Sequence, residues 1–252
     1  MAKIVFFTGS GISQPSGLET FRDNGDGTGL WLNEKIQDVA TFPGFKKNPK
    51  KVHDFYNGLR SKINLAIPNI AHTMIADLEK EHDVVVITQN IDNLHEKSGS
   101  SKILHLHGNY NRFFCLHCHN NFEHNESWSV YNNCHKCQAS YENVRPFIVW
   151  FYENLDPVLF SEAEEHCRQA DLFVQVGTSA QVFPAANLIK RVKVRRKKVE
   201  MNLMKSIPKR PYTFHNYYLG NIIHSFPEFK KDLPELLELK EKGIFKTFRH
   251  NI

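Results

Sequence analysis

The sequence lacks the long hydrophobic run that a membrane-spanning helix needs. No stretch of its 252 residues approaches the roughly 18 consecutive apolar residues of such a helix, so we expect no membrane partner. A secretory leader is not expected either, because strand-like residues begin almost at once. Internal repeats and low-complexity tracts are absent, which argues against a repeat array. With 41% hydrophobic residues and a net charge of +5, the chain can bury the core of one large domain and one small domain.

Cysteine is scarce, and its spacing indicates a metal site. Four of the five cysteines form two C-x-x-C pairs separated by fifteen residues: Cys115, Cys118, Cys134 and Cys137. This spacing is typical of a tetrahedral zinc site rather than of disulfides, and a cytoplasmic location is expected. Four protein ligands leave no open position, so the zinc is expected to be structural. The alternative is a histidine in place of one thiolate, from His117, His119 or His135.

Short apolar runs alternate with segments of helical periodicity along most of the chain. The predicted strands are 4–7, 84–87, 103–108, 147–151, 172–176, 199–202 and 214–219, and the predicted helices are 49–65, 70–80, 156–169 and 227–242. The alternation predicts an α/β fold, a Rossmann-like parallel sheet with helices on both faces, together with a small zinc-binding module. Residues 1–107 and 146–252 are assigned to the Rossmann-like domain, with 25–80 as a helical insertion contributing to the small domain, and 108–145 to a zinc-ribbon-like module.

The first strand is followed by a turn that suits a phosphate. Gly9 and Gly11 allow close backbone approach, and a helix beginning at Ile12 would direct its free N–H groups at the anion. The dinucleotide fingerprint is incomplete because Gln14 stands at its third glycine position, and an ordinary strand–turn–helix explains the segment as well. The next strand follows only about 75 residues later, which argues against an ordinary dehydrogenase. Residues 24–29 are predicted to form a lid, with a solvated connection as the alternative.

Polar or glycine clusters follow the predicted strands of the parallel sheet. They are Gly9, Gln89–Asp92, Gly177–Ser179 and Asn202. Because the carboxyl ends of parallel strands meet at one edge, these residues are expected to line one ligand-binding crevice.

These clusters belong to a larger set of motifs that occur in one order along the chain. The set is Thr8–Ser13, Gly17-x-x-x-Phe21-Arg22-Asp23, Thr88–Asp92, His107-Gly108, the two cysteine pairs, Gly177–Ser179 and Asn202. Together they resemble the sirtuin family along nearly the whole chain, closest to its bacterial desuccinylase/deacetylase branch. The resemblance implies an NAD-dependent protein-lysine deacylase that acts on acyl-lysine proteins or peptides. Such an enzyme consumes NAD as a co-substrate, gives nicotinamide, O-acyl-ADP-ribose and free lysine, and carries a structural zinc.

The resemblance also implies roles for individual residues. His107 would be the catalytic base, with Asn90 and Asp92 in the catalytic set, and a core histidine is the alternative for His107. His105 is expected to be structural. The implied NAD-binding residues are Gly9, Ser10, Gly11, Ile12, Phe21, Arg22, Gln89, Asn90, Asp92, Gly177, Thr178, Ser179, Asn202 and Ile222. The implied substrate-binding residues are Ala40, Tyr56, Arg60, Val149 and Phe151.

Three positions depart from the family's pattern. Ser10 replaces the usual alanine, and Glu19 replaces a proline or small residue of the lid. Tyr152 replaces a glycine at which the substrate peptide normally adds as a strand, which puts ordinary peptide binding in question.

The acyl pocket departs from the pattern as well. The branch that removes succinyl and malonyl groups has an alanine, a tyrosine sixteen residues later and an arginine three residues further on. Ala40 and Tyr56 match, but the third position is Leu59 and the arginine follows as Arg60. If Arg60 reaches the pocket, it would hold an acidic acyl group. The favoured interpretation is that Arg60 points to solvent and Leu59 makes the pocket apolar, so that acetyl and longer neutral groups are preferred.

Two other functions are compatible with the motifs. One is an NAD glycohydrolase or ADP-ribosyltransferase on the same scaffold. The other is a nucleotide-binding module without turnover, which the intact Asn90, Asp92 and His107 disfavour.

The segment 190–198 is strongly basic, with seven basic residues among its nine. A solvated helix end is preferred over a nucleic-acid patch as the interpretation of this segment. We therefore expect no nucleic-acid partner. The chain is also expected to be a monomer.

Overall fold

The protein is built around one six-stranded parallel sheet. The computed structural model describes residues 1–20, 34–193, 195–204 and 214–238. Within them the strand order is β3-β2-β1-β7-β8-β9. These strands are β1 (Lys3–Thr8), β2 (Asp83–Thr88), β3 (Ile103–His105), β7 (Leu172–Val176), β8 (Lys197–Asn202) and β9 (Asn216–Leu219). Every neighbouring pair is parallel, as predicted.

Helices cover both faces of this sheet. The helices in the described ranges are α1 (Ile36–Val39), α2 (Phe42–Lys47), α3 (Pro49–Leu65), α4 (Ile70–Leu78), α5 (Leu94–Lys97), α6 (Pro157–Gln169) and α7 (Ile222–Glu238). Ile4 and Phe6 of β1 pack with α4 and α7, whereas Val5 and Phe7 pack with α6 and the 3-10 turn Ala185–Arg191. Because side chains alternate along a strand, the continuous apolar run of β1 is buried on both faces. The predicted α/β fold is confirmed.

Local capping explains where the well-predicted helices begin. Pro49 opens α3 directly after Asn48, whose Oδ1 accepts a hydrogen bond from the Lys51 N–H at 3.0 Å. Asp156 caps α6 in the same way through the Val158 N–H at 2.8 Å. These caps supply acceptors for N–H groups that the first turn of a helix leaves unpaired.

Two predictions about helices are wrong. Instead of a helix beginning at Ile12, the chain forms the 3-10 turns Ser10–Ile12 and Gln14–Ser16, and Gly17 at φ +85° ends the second turn. The last helix begins at Ile222 and contains Pro227, which was predicted to start it. Residues 239–242 of that prediction lie outside the described ranges.

A second sheet carries the cysteine pairs. Its three antiparallel strands are β4 (Gly108–Cys115), β5 (Asn121–Glu123) and β6 (Val144–Ile148), in the order β5-β4-β6. The strand predicted at 147–151 is therefore wrong in position, because Trp150 leaves the strand and packs between Phe45 and Tyr56. The predicted module boundary at residue 145 falls inside β6.

None of the helices in the described part of the chain is both long and apolar enough to cross a membrane.

Candidate active site and metal centre

The four predicted metal ligands converge at one point of the small sheet. Their Sγ atoms all lie within 4.8 Å of one another, and the Cys115–Cys137 and Cys118–Cys134 pairs are 3.7 and 3.6 Å apart. A tetrahedral zinc with Zn–S bonds of about 2.3 Å requires sulfur separations of about 3.8 Å, so the thiolates fit this metal. The potential ligand cluster found among the described residues contains these four cysteines and no histidine.

The two C-x-x-C turns share one backbone geometry. The His119 N–H donates to the Cys115 carbonyl and the Gln138 N–H donates to the Cys134 carbonyl, both at 2.9 Å. His119 and Gln138 both have positive φ, at 56° and 60°. The repeated turn directs each pair of sulfurs toward the same centre.

At the carboxyl edge of the parallel sheet, two glycine turns pack directly against each other. The Gly9 N–H donates to the Val176 carbonyl at 3.0 Å, and the Gly11 N–H donates to the Gly177 carbonyl at 2.9 Å. A Cβ on Gly11 would lie 2.8 Å from the Gly177 Cα, which is too close. The approach of backbone to backbone therefore requires glycine here.

A network of side-chain amides joins the strand ends that were predicted to line one crevice. The Gln89 amide donates to the Thr178 hydroxyl at 2.8 Å. The Asn90 amide donates to the Gly9 carbonyl at 3.1 Å, and the Asn202 amide donates to the Thr178 carbonyl at 3.2 Å. The structure thus brings the ends of β1, β2, β7 and β8 together at one site.

Asp92 lies buried at the bottom of this cleft. Its carboxylate accepts hydrogen bonds from the Ser13 hydroxyl at 2.9 Å and from the Leu94 N–H at 3.1 Å. Burial raises the pKa of Asp92, and these two donors oppose the rise. Ser13 also accepts from the Asn90 amide at 3.2 Å, so it links two predicted site residues, although sequence reasoning did not select it.

His107 follows the end of β3 and has a defined tautomer. Its Nδ1 is 2.9 Å from the Gln89 carbonyl oxygen, which can only accept, so Nδ1 carries the proton. Nε2 therefore has a free lone pair in the neutral ring. Burial lowers the pKa of His107, while the bond to Gln89 opposes this shift. A neutral imidazole with one free nitrogen suits a general base.

Four of the five predicted substrate residues meet along one segment beside His107. The Val149 N–H donates to the His107 carbonyl at 3.0 Å, and the Phe151 N–H donates to the Ala40 carbonyl at 3.0 Å. Between them, the Trp150 indole N–H donates to the Tyr56 hydroxyl at 2.9 Å. Ala40 and Tyr56 therefore lie against the segment that runs past the histidine.

Arg60 does not point to solvent, so the favoured sequence interpretation of its direction is wrong. The residue is only 2% exposed. Its guanidinium donates to Asn57 Oδ1 at 2.7 Å and to the Tyr110 carbonyl at 3.0 Å, and it lies 4.8 Å from the centre of the Phe113 ring. These contacts hold α3 against the small sheet. Leu59 instead lines the cleft beside Asn90 and Asp92.

Of the remaining predicted NAD-binding residues, two lie at the cleft, two lie in the core and two fall outside the described ranges. Ser10 lines the cleft, and Ser179 follows Thr178 at its edge. Ile12 and Ile222 are both buried in the core cluster shared by the sheet, α4 and α7. Phe21, Arg22 and the lid predicted at 24–29 lie outside the described residues.

Tyr152 occupies a backbone conformation that favours glycine. It lies in a turn closed by the Glu153 N–H, which donates to the Trp150 carbonyl at 3.1 Å. Its φ is +70°, and the residue is 92% exposed. A residue other than glycine is sterically destabilised at positive φ. Because the Tyr152 side chain is exposed, it gains no burial energy that could offset this cost.

Tyr152→Gly is expected to raise the free energy of unfolding by about 0.5–1 kcal/mol. Relief of a left-handed residue is worth about 1–2 kcal/mol, and the added freedom of glycine in the unfolded chain costs about 0.5–1 kcal/mol. Urea titration measures the difference. Tyr131→Gly is the matched control, because Tyr131 is also 92% exposed but is not among the residues with positive φ, and it should lower stability. Equal destabilisation by both changes would contradict the prediction.

The basic segment before β8 is partly neutralised by acidic partners. Arg191 pairs with Glu164 at 2.7 Å, and Arg196 pairs with Asp171 at 2.9 Å. Lys198, the second residue of β8, is buried, and burial lowers its pKa. These contacts reduce the positive charge available to a polyanion.

The chain is similar to proteins of one family in sequence. The Sir2 family model matches residues 9–184. The NAD-dependent protein deacylase of Bdellovibrio bacteriovorus is 42% identical over 231 residues, which are 90% of this chain and 94% of the relative. The protein of the same name from Vibrio parahaemolyticus is 38% identical over 245 residues, which are 95% of this chain and 97% of the relative.

Solved structures of the same family are similar to the chain in fold. A Sir2 homologue in complex with ADP-ribose superposes with a TM-score of 0.82 at 33% identity and covers 96% of both chains. A Sir2 homologue bound to NAD gives a TM-score of 0.80 at 34% identity, over 94% of this chain and 91% of the other. A Sir2–p53 peptide–NAD+ complex gives 0.74 at 29% identity, over 92% and 93%.

Proposed function

The chain belongs to the Sir2 family, and we infer from this premise that it is an NAD-dependent protein deacylase with His107 as its general base. Relatives of this name cover almost the whole chain, and related structures hold NAD, ADP-ribose and a peptide. The observation that carries the assignment of the base is the free Nε2 of a half-buried imidazole that is fixed through Nδ1 to the Gln89 carbonyl.

The residues at the carboxyl edge suit the parts of an NAD molecule. NAD supplies an electrophilic ribose carbon once nicotinamide departs, and the acyl group is transferred to that ribose. Gly9 and Gly11 carry no Cβ, so their turn would let phosphate and ribose groups approach its backbone, and the Thr178 side chain lies beside Gly9. Asn90 and Asp92, fixed by Ser13, present an amide and a carboxylate at the base of the cleft for ribose and carboxamide.

His107 would accept the proton of a ribose hydroxyl through Nε2. The Gln89 carbonyl fixes the ring through Nδ1, so the basic nitrogen does not rotate away from the cleft. The zinc site has a different role, because four thiolates complete a tetrahedral shell and leave no position for substrate. Zinc therefore stabilises the small sheet that follows His107 in the chain.

The pH profile is expected to show an acidic limb with its midpoint below pH 6.5. Burial lowers the pKa of His107 from its ordinary value of 6.5, and only the neutral ring accepts a proton, so kcat/KM, which reports groups of the free enzyme, should rise with pH through this lowered pKa and level off by neutrality. Steady-state kcat/KM for an acetyl-lysine peptide between pH 5 and 8 measures the limb. A midpoint above 6.5 would contradict the assignment of His107 as a neutral base.

Acid unfolding must be separated from this limb. Burial lowers the pKa values of His53 and His72 to about 4, so the unfolded chain binds more protons than the folded chain below pH 6.5. Stability should therefore fall as the pH drops from about 6.5 toward 4. Circular dichroism at each pH identifies the range in which the protein stays folded, and kcat/KM is interpreted only there.

For the acyl group, we propose an apolar pocket that favours neutral chains. Leu59 lines the cleft and packs in the cluster that includes Ala40 and Tyr56. The nearby arginine, Arg60, is committed to Asn57 and Tyr110, so its guanidinium does not serve the pocket. Acetyl and butyryl groups would be accepted over succinyl.

Leu59→Arg is expected to raise kcat/KM for a succinyl-lysine peptide by about tenfold. The new guanidinium would reach the distal carboxylate of the succinyl group and bind it through charge-assisted hydrogen bonds. The comparison uses one peptide carrying acetyl-, butyryl- or succinyl-lysine. Leu59→Met is the control, since it preserves an apolar wall. A wild-type preference for succinyl-lysine that collapses in Arg60→Ala would overturn the assignment of an apolar pocket.

Mass spectrometry after incubation with NAD and an acetyl-lysine peptide tests the reaction itself. O-acetyl-ADP-ribose that depends on the peptide supports deacylation. ADP-ribose formed without the peptide would support the alternative, an NAD glycohydrolase, which the comparisons do not favour.

A cytoplasmic location and the absence of nucleic-acid binding are proposed on narrower grounds. The five cysteines form no disulfide, and free thiols placed to hold zinc are typical of a reducing compartment. The ion pairs of Arg191 and Arg196 support the view that the basic segment is structural. Salt-sensitive binding to generic DNA would contradict this view.

A further inference from the structure

His105, which ends β3, makes two hydrogen bonds that a neutral imidazole cannot make together. Its Nδ1 is 3.0 Å from the Asn90 carbonyl oxygen, and its Nε2 is 2.6 Å from Glu96 Oε1. A carbonyl oxygen and an ionised carboxylate can only accept, so both ring nitrogens must carry hydrogen. The geometry therefore requires an imidazolium, whereas His107, two residues later, has only one acceptor.

The surroundings of His105 favour this charge. Burial lowers its pKa, but Glu96, the Asn90 carbonyl and Asp92 together raise the pKa above its usual value. The other imidazole nearby, His95 of α5, is fully buried with its pKa held well below the usual range, so it adds no positive charge. His105 keeps 14% of its side chain exposed and Glu96 keeps 40%.

Two histidines thus hold two successive carbonyls of the same loop. His107 binds the carbonyl of Gln89, and His105 binds the carbonyl of Asn90. The side chain of Asn90 points the other way, toward Gly9 and Ser13 in the cleft. The position of the Asn90 side chain therefore depends on the hydrogen bond that His105 makes to the Asn90 carbonyl.

We propose that His105, as an imidazolium paired with Glu96, is a positioning residue that fixes the loop of residues 89–92 for binding of the nucleotide. The cation bridges α5 and the loop, and its field also favours the ionised form of Asp92. The proposal rests on the proposed function only in that the nucleotide is NAD. Sequence reasoning assigned His105 a structural role without a charge.

Isothermal titration with NAD and NMR of ring-labelled histidine test the pair. His105→Gln should weaken NAD binding about tenfold with a small change in kcat, the scale expected when one charge-assisted hydrogen bond is lost. Glu96→Gln should weaken binding by a smaller factor. At pH 7.5 the His105 ring should give the cationic signature in the wild type and the neutral one in Glu96→Gln, because a glutamine amide can donate to Nε2.

His166→Gln is the matched control. His166 faces Glu162 across 3.6 Å on α6, a histidine–carboxylate pair that lies outside the cleft. The variant should leave NAD affinity unchanged. In the wild type, the His166 ring should be neutral at pH 7.5, since burial lowers the pKa of His166.

Two outcomes would overturn the proposal: a neutral His105 ring in the wild type at pH 7.5, or unchanged NAD affinity in both the His105 and Glu96 variants. If His105→Gln does not fold, Glu96→Gln decides the outcome, because its carboxylate is partly exposed and its replacement is isosteric. Wild-type protein that binds NAD with this dependence but yields no O-acetyl-ADP-ribose would contradict the proposed function and leave the role of His105 intact.

Discussion

His107→Ala is expected to lower kcat for deacylation by about 10²–10⁴-fold, the usual effect of losing a positioned general base. The melting temperature should change little, and the NAD dissociation constant should change far less than kcat, because the lost bond to the Gln89 carbonyl is neutral rather than charge-assisted. The imidazole makes one hydrogen bond through Nδ1, to a backbone carbonyl, and the amide network of Gln89, Asn90 and Thr178 does not include its ring. Single-turnover rates with an acetyl-lysine peptide measure the loss directly, because they exclude product release.

His224→Ala serves as the control for this change, since His224 is an exposed imidazole on α7 that does not line the cleft. It should leave kcat unchanged. If His107→Ala folds, binds NAD and retains full activity, then His107 is not the base. If the variant loses NAD binding as well as turnover, the ring holds the nucleotide site together rather than moving a proton.

Elements whose sequence pattern lies within one short stretch of chain were predicted correctly. Helix α3 was predicted at its observed bounds because its apolar residues recur at helical spacing within one stretch of chain. The zinc ligands were identified for the same reason, since two C-x-x-C turns carry their own geometry. The crevice followed from the rule that parallel strands end at one edge, and it correctly united residues from four strands.

Features that depend on contacts between residues far apart in the sequence could not be predicted from such local patterns. Ser13 lies between two 3-10 turns, and its role is fixed by Asp92, which is 79 residues away in the chain. The direction of Arg60 is set by the Tyr110 carbonyl, 50 residues away, and not by its place on the helix. The strand β6 was misplaced because its apolar run continues into Trp150, which leaves the sheet to cover the Arg145 guanidinium at 3.6 Å.

The cysteine cluster lies in the same small sheet as β4, and this links its stability to His107, the proposed base. Cys115 is the last residue of β4, whose first residue, Gly108, follows His107 directly. Gly108 has φ +84°, and a Cβ there would collide with the Phe147 carbonyl of β6, so the β4–β6 contact is tight at this point. The core of this sheet is small and consists mainly of Phe113, Trp128 and Val144 around the sulfurs.

Cys115→Ala is therefore expected to unfold the small sheet and abolish activity, rather than only slow the reaction. Zinc bound by such sites contributes about 10–16 kcal/mol to folding in isolated fingers, comparable with the whole stability of a domain. Even partial loss should lower the melting temperature by about 10 °C or more, since each kcal/mol moves it by about 2–4 °C at this chain length. Metal analysis should give one zinc per chain in the wild type and none in soluble Cys115→Ala.

Cys167→Ala separates this effect from the loss of any buried cysteine. Cys167 is fully buried on α6 and lies outside the ligand cluster, so its replacement removes one small core side chain and leaves zinc in place. It should keep one zinc per chain and most of the activity, with a modest fall in melting temperature. A zinc-free Cys115→Ala that melts like the wild type would show that the four thiols are not a structural site. A Cys115→Ala that keeps its fold but loses turnover would instead place the metal in the reaction, which the closed tetrahedral arrangement of sulfurs argues against.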